Sequence, residues 1–515
     1  MDKLNDNASL KKNIFANYIG QIYILILGVI VTPLYWKYLG SEAYGLVGFF
    51  MLLLACSSII DAGLSPTLGR QIAHERGTVY GGDNLKKLLK SFEIIFFTLA
   101  ALVTIGILLS SHWISIYWIK SNYISQEQIE FCIKLMGVII GIRVLSSLYR
   151  SGINGLERQI WLNTASIIFQ TAKFVLSLLV LIYLSSDVVY FFYCQIIISI
   201  FELAVLIRYF YSKLPTVYLQ HKIGYIYFDW KSIKLVAPFT LGILYSTAIW
   251  IATSQVDRVI LSKVLSLESF GYFSLIMVIA STINMLSTPI GAAIQPRMTY
   301  LLANGDEVAM LAIYRSATQL ATLSVMTIAI TIAMFSEPLV YAWTGNQEIA
   351  TWSNQILFWF SLSNGILAII IFQYYLQVAH GRLRLHIFGS SISALIEIPI
   401  IVYIAINYGA LGVGIAWFVM RVMWLFFWVP LVHHKFTPGL HWDWFFKDVL
   451  LISATIFSIS LLLHNFIIID FHSGRVEIFL QLIAIGLFTL SLSSIGSSFL
   501  RGWVVEKIRN LYASA

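Results

Sequence analysis

Charge is what this sequence has least of. Of its 515 residues only 11% are Asp, Glu, Lys or Arg, against about 25% in a typical soluble domain. That shortage excludes a soluble enzyme, a disordered regulator and a nucleic-acid-binding domain, each of which needs a charged, solvated surface. Cysteine is scarce as well. Cys56, Cys132 and Cys194 all lie inside apolar runs and form no spaced pair of the metal-binding or redox kind. They read as small buried hydrophobes. The sequence has no GxxxxGK(S/T) phosphate loop and no HExxH, so no ATPase or zinc protease is built in and no cofactor is expected. Period-2 alternation is missing, which excludes a β-barrel. The polar start, Met1 to Lys12, followed by many apolar runs, does not fit a cleavable signal peptide. His433, His434 and His441 have no ligand partner at a useful helical spacing and read as a solvated loop.

What is present is apolar. Hydrophobic residues make up 59% and mean hydropathy is +0.82. Crossing a bilayer core of about 30 Å takes about 20 apolar residues. Such runs recur fourteen times, the first at 13–35 and the last at 477–498, with a pair at 384–407 and 411–433. The expected fold class is an all-α polytopic membrane protein with about 14 transmembrane helices. Lys and Arg in the loops set its orientation. With the N-terminus in the cytoplasm, 24 of them fall in inner segments, and only Lys37, Lys120, Lys263 and Arg475 fall in outer loops. Both termini are therefore expected in the cytoplasm. The net charge of +8 then faces the anionic inner leaflet, and no nucleic-acid partner is expected.

The two halves of the chain resemble each other at an offset of 226 residues. Glu42, Tyr44 and Gly45 map onto Glu268, Phe270 and Gly271, and Gly155 and Arg158 map onto Gly381 and Arg384. The offset covers six spans, so the halves share orientation, as in transporters built from parallel repeats. This gives expected domain limits: an N-terminal lobe of six spans at 1–210, a cytoplasmic linker at 211–232, a C-terminal lobe of six spans at 233–434, and two extra spans with a tail at 435–515. The longest loops, about 66–87, 113–126, 211–232 and 337–352, are too short for a catalytic domain. A polysaccharide polymerase or another membrane enzyme is disfavoured on that ground.

Ionisable and amide side chains at membrane depth are costly and normally face an interior cavity. They form stripes here at helical spacing. Span five carries Asn163, Ser166, Gln170, Lys173 and Ser177. Span one carries Asn13, Asn17 and Gln21, and span two carries Ser57, Asp61 and Ser65. Span seven ends in Asp257 and Arg258. Asn284 lies in span eight, Asn364 and Gln373 in span ten, Glu397 in span eleven and Arg421 in span twelve. A cleft lined this way can hydrogen-bond a sugar. Lys173, Arg258 and Arg143 can receive a phosphate, because charge-assisted bonds are the stronger kind. Asp61 and Glu397 are candidates for ion coupling. Each has a plainer reading: polar groups bonding across helices, Arg143 and Arg421 snorkelling to head groups, Asp257 and Arg258 neutralising each other, and Asp61 anchoring a helix end.

Certain segments carry a resemblance. They are Asn13-Ile-Phe-Ala-Asn-Tyr-Ile-Gly20, Pro33-Leu-Tyr35, Tyr38-Leu-Gly-Ser-Glu-Ala-Tyr-Gly45, Asp61-Ala-Gly-Leu-Ser65 and Arg70-Gln-Ile-Ala73, with Asp257-Arg-Val-Ile-Leu261 and Gly271-Tyr-Phe273 in the second half. The sequence resembles the polysaccharide-transporter flippases, the Wzx-type O-antigen and exopolysaccharide translocases of the multidrug, oligosaccharide-lipid and polysaccharide exporter superfamily. The resemblance implies a flippase in the bacterial cytoplasmic membrane. It would move an undecaprenyl-pyrophosphate-linked oligosaccharide to the outer leaflet by alternating access, without ATP. A polysaccharide polymerase and a chain-length regulator are candidate partners beside the membrane lipids. The family's cationic lumen would correspond to Lys173, Arg258 and Arg143. Two other functions stay open on the same fold: a drug or cation antiporter, marked by an acidic cleft, and a lipid II flippase.

Overall fold

The computed structural model describes the backbone of residues 2–75, 82–214 and 228–496, and the side chains of 20–73, 87–214, 228–230, 233–234 and 236–496. Asn13 and Asn17 lie outside the described side chains, and most of the expected linker and the C-terminal tail lie outside the described residues altogether.

The first eight helices are α1 (Asp2–Leu39), α2 (Ser41–Asp61), α3 (Leu64–Glu75), α4 (Gly82–Tyr117), α5 (Gln126–Gly155), α6 (Gln159–Tyr183), α7 (Val188–Lys213) and α8 (Trp230–Val264). Then come α9 (Leu267–Ala303), α10 (Glu307–Met334), α11 (Ser336–Thr344), α12 (Gln347–Ile370), α13 (Phe372–Ala379) and α14 (Arg384–Met423). The chain ends with α15 (Val429–Phe436), α16 (Leu440–Asp443), α17 (Leu451–Phe466) and α18 (Arg475–Ser493). No strand occurs among the described residues. In lipid the backbone must satisfy its own hydrogen bonds, and the helix does so within one segment. Large apolar side chains left exposed, such as Leu109, Phe97 and Phe427, then meet acyl chains instead of water.

Among the described residues thirteen helical stretches are long and apolar enough to cross a membrane. One of them, Arg384–Phe436, has 53 residues. At 1.5 Å per residue it would be about 80 Å long, more than twice the bilayer core. Gly409 breaks it, with φ 62° and ψ −155°, a conformation that glycine reaches without steric cost. The stretch therefore makes two passes, and the count reaches fourteen. The break falls in the gap between the 384–407 and 411–433 runs. The chain is an all-α, multi-pass membrane protein.

Two expected loops contain helices. Residues 64–75 form α3, which buries Leu68 and Ile72 completely, and residues 336–344 form α11. Both helices are too short to span, so a search for membrane-length runs passes over them. Helix starts are capped locally. Ser125, Asp187, Asp306 and Asn346 each accept a hydrogen bond from a backbone N–H in the first turn of the following helix.

The chain divides into two compact units, 1–271 and 272–515. In the first, α4 packs along α5, α5 along α7 and α1 along α6. Its core includes Phe92, Phe96, Leu148, Leu206 and Phe210. The span formed by α8 belongs to this unit. So do both copies of the repeated motif, which lie against each other. A Cβ on Gly45 would sit 2.2 Å from the Leu267 carbonyl oxygen, and one on Gly271 would sit 2.5 Å from that of Ser41. Only glycine permits that mutual approach. The Ser41 hydroxyl donates to Glu268 Oε1 at 2.9 Å. Glu42 accepts from the Ser121 hydroxyl and from the backbone N–H groups of Asn122, Tyr123 and Ile124 at 2.7–3.1 Å.

In the second unit α10 and α14 pack on α12. The last two spans join this unit, α17 along α10 and α18 along α11. Two polar anchors hold them. Arg315 of α10 pairs with Asp448 at 2.6 Å. Arg475 donates to the carbonyls of Ala342 and Trp343 at the end of α11, at 3.0 and 2.6 Å, where the helix dipole favours a cation. The histidines differ from the solvated loop expected of them. His434 is exposed, but His433 and His441 are buried, with Nδ1 atoms 3.1 Å apart, and the Tyr314 hydroxyl lies 2.8 Å from His433 Nε2. The aromatic surroundings, Trp444 above all, draw them in.

Candidate functional site

Lys173 lies in the middle of α6, a 25-residue helix with no glycine or proline. Its backbone position is pinned twice: the Tyr35 hydroxyl donates to the carbonyl oxygens of Lys173 and Phe174 at 3.2 and 2.8 Å, and Gln195 Nε2 donates to the Lys173 carbonyl at 3.2 Å. The ammonium meets Glu202 Oε2 of α7 at 2.7 Å. Arg150 of α5 takes the other oxygen of the same carboxylate and also donates to the Ser166 hydroxyl at 2.8 Å. Glu202 is 6% exposed in its side chain, Lys173 20% and Arg150 29%. One carboxylate thus holds two cations at membrane depth, where unpaired charge would be prohibitive.

Arg143 lies two turns before Arg150 on α5. It donates to the Leu54 carbonyl at 2.7 Å and to the Ser58 hydroxyl at 3.2 Å. It is exposed, and lies within electrostatic range of Asp61, Arg150 and Glu202. Asp61 accepts from Ser65 at 3.2 Å. Three cations, Arg143, Arg150 and Lys173, therefore face two carboxylates, Asp61 and Glu202. The surplus is positive, the sign that suits a phosphate.

The remaining expected residues are placed as follows. Gln170 is half-buried on α6 and Gln21 is exposed on α1. Asp257 is buried and accepts from the backbone N–H of Arg258 at 2.7 Å, while the half-buried Arg258 lies within electrostatic range of Cys56. In the second unit Asn284 donates to Asn364 at 2.6 Å, joining α9 to α12. Gln373 accepts from Gln377 at 2.5 Å. Glu397 of α14 is 1% exposed, with Trp424 Nε1 2.6 Å from Oε1 and Arg421 at 3.6 Å. Between α10, α11 and α18 lies an apolar groove of about 390 Å³, lined by Ile328, Phe335, Leu482 and Leu487 among others.

Sequence reading singled out Lys173 but missed both of its partners. Arg150 counts as an inner-loop cation when only hydropathy is read, although α5 continues past it to Gly155. Glu202 was legible: it is the lone carboxylate in the apolar run of α7, and such a residue marks a functional site by default.

The membrane-length helices among the described residues, with charges paired between them, make this a multi-pass membrane protein. The chain belongs to a family described as "Polysaccharide biosynthesis protein", whose model matches residues 10–302. It is similar to a protein of Shigella flexneri named "Putative O-antigen transporter", 21% identical over 294 residues that make up 56% of this chain and 67% of that one. Among solved structures it resembles the lipid II flippase MurJ in an inward closed conformation, with TM-score 0.69, 16% identity and coverage of 95% of this chain and 99% of that one. It also resembles an inward-facing MATE multidrug transporter of the MOP superfamily, with TM-score 0.63, 15% identity and coverage of 81% and 96%. At such identities the two structures speak for the fold alone. The family read from the sequence is borne out: this is a member of that polysaccharide biosynthesis family, with a fold shared with MurJ and MATE transporters.

Proposed function

We propose that the protein flips an undecaprenyl-pyrophosphate-linked oligosaccharide from the inner to the outer leaflet of a bacterial cytoplasmic membrane, by alternating access, for O-antigen or exopolysaccharide assembly. Both termini then lie in the cytoplasm, as the distribution of Lys and Arg suggests. The observation that carries this reading is the Arg150–Glu202–Lys173 node with Arg143 beside it, in a chain of this family. Its positive surplus suits a pyrophosphate head group, whereas an antiporter of organic cations calls for the opposite sign. Lys173, Arg143 and Arg258 are the proposed phosphate contacts. Gln21, Gln170, Asn17, Asn284, Asn364 and Gln373 are proposed for the sugars. The apolar groove beside α18 is of a kind that suits part of a lipid tail.

The test is a deletion strain. Loss of the gene should make lipid-linked oligosaccharide accumulate unflipped and abolish surface polysaccharide, with both restored by the intact gene. Unchanged surface polysaccharide in the deletion strain would refute the proposal. Rescue of a strain depleted of its own lipid II flippase would move the cargo to lipid II. Restored drug resistance without any glycan phenotype would move it to drugs.

A further inference from the structure

Cations are scarce on the face assigned to the outside. Of 33 Lys and Arg only Lys37, Lys120, Lys263 and Arg475 fall there, as expected when basic loops are kept in the cytoplasm. Arg475 is spent on the carbonyls that end α11. Lys120 and Lys263 are far apart in the chain, yet they meet at one place in the first unit. The Lys263 ammonium lies 5.1 Å from the centroid of the Trp118 ring. The Trp118 indole N–H donates to the Ser262 hydroxyl at 2.9 Å, and the Lys120 ammonium donates to the Val264 carbonyl at 3.2 Å. Both lysines are exposed, and neither pairs with a carboxylate among the described residues. The carboxylates nearby have other donors: Glu42 holds the Ser121 hydroxyl and three backbone N–H groups, and Glu268 accepts from Ser41.

Two more rings extend the patch. The Trp113 ring centroid is 6.0 Å from that of Trp118 and 6.1 Å from that of Tyr117, and Trp113 and Tyr117 are exposed. Interfacial Trp, Tyr and Lys commonly anchor helices at head-group level. That plainer role needs neither two cations around one indole nor a fixed loop. The loop after α4 is fixed: Glu42 ties down residues 121–124, and the Lys120 carbonyl accepts from the Leu267 N–H at 2.7 Å. A site fixed in advance loses little to ordering when a ligand arrives. Each ammonium now rests on a neutral partner, a carbonyl or a ring. A phosphate offers both the stronger, charge-assisted bond. The rings offer apolar faces on which sugars stack, and a plain phospholipid head group would leave them unused.

We propose that Lys120 and Lys263, with Trp118 between them, form an outer-face site for the pyrophosphate of a lipid-linked glycan, whose first sugars lie against Trp113 and Tyr117. The site shares no residue with the node around Lys173. It rests on the proposed function for the identity of the cargo and for which face is outer. It holds the head group once the cargo has reached the outer leaflet.

Amine acetylation of the purified full-length protein in detergent, read residue by residue by mass spectrometry, tests it. The probe is a short-chain polyprenyl-pyrophosphate-linked disaccharide. At ten times its Kd it should slow acetylation of Lys120 and Lys263 about tenfold, by mass action. Lys213, an exposed lysine over the Tyr209 ring at 5.8 Å, is the control and should react at its usual rate. In Trp113→Ala the glycolipid should protect less, while inorganic pyrophosphate should protect the two lysines as it does in the wild type. No protection of Lys120 and Lys263 would overturn the site. Equal protection by phosphatidylglycerol would make them a general head-group anchor and overturn the assignment to a glycolipid. Full glycolipid protection in Trp113→Ala would overturn the sugar contact. Protection in a protein that moves no glycolipid in vesicles would refute the proposed function and leave the site standing. Transport slowed by Lys173→Ala without any protection here would do the reverse.

Discussion

Glu202 in the first unit and Glu397 in the second are both carboxylates buried at membrane depth, and they are finished differently. Glu202 gives one oxygen to Arg150 and the other to Lys173. Glu397 has one oxygen on an indole N–H, the other unbonded and its cation at 3.6 Å. Asp448 resembles Glu202. It is fully buried and accepts from Arg315 at 2.6 and 3.1 Å and from Gln319 at 2.6 Å. A carboxylate with both oxygens bonded to cations ties three helices together, and one with a single bonded oxygen ties fewer.

Removing Glu202 tests the contrast hardest. Glu202→Ala leaves Arg150 and Lys173 without their anion, a loss of about 3–4 kcal/mol by the general cost of breaking a buried pair. It should show as a marked fall in Tm in detergent. Asp448→Ala should cost somewhat less, about 2–3 kcal/mol by the same argument, because Arg315 is 30% exposed and can find solvent. A small effect there would mean that completeness of bonding does not decide stability. Lys173→Ala keeps the Arg150–Glu202 pair and should cost only about 1 kcal/mol, in line with a partly exposed ion pair. Surface polysaccharide should nonetheless fall about tenfold at unchanged protein level, a change of about 1.4 kcal/mol at the transport step. Wild-type export in that variant would remove Lys173 from the substrate path. Glu397→Gln should be milder than Glu202→Ala, because the amide oxygen still accepts from Trp424 and the pair given up, with Arg421 at 3.6 Å, is the looser one. A Tm fall as large as that of Glu202→Ala would erase the distinction between the two carboxylates.

Hydropathy made the spans legible, including the break that Gly409 supplies, because a membrane-length apolar run has few other readings. The repeat was legible as Glu42 with Glu268 and Gly45 with Gly271. What the offset did not tell is that the two copies touch, and only the structure shows why each glycine is needed. The polar stripe of α6 pointed to Lys173, yet its partners come from α5 and α7. Three-dimensional packing, not helical spacing, joins residues 150, 173 and 202. The histidines misled for a related reason: a loop between spans looks solvated until the aromatic residues that bury His433 and His441 are in place.

The most direct measurement is made in vesicles. The purified protein is reconstituted with an undecaprenyl-pyrophosphate-linked oligosaccharide, and a glycan-cleaving enzyme is added outside. The account predicts that glycan first protected in the inner leaflet becomes cleavable over time, and that this is slower with Lys173→Ala. Protection equal to that in protein-free vesicles, with folded protein inserted, would contradict it.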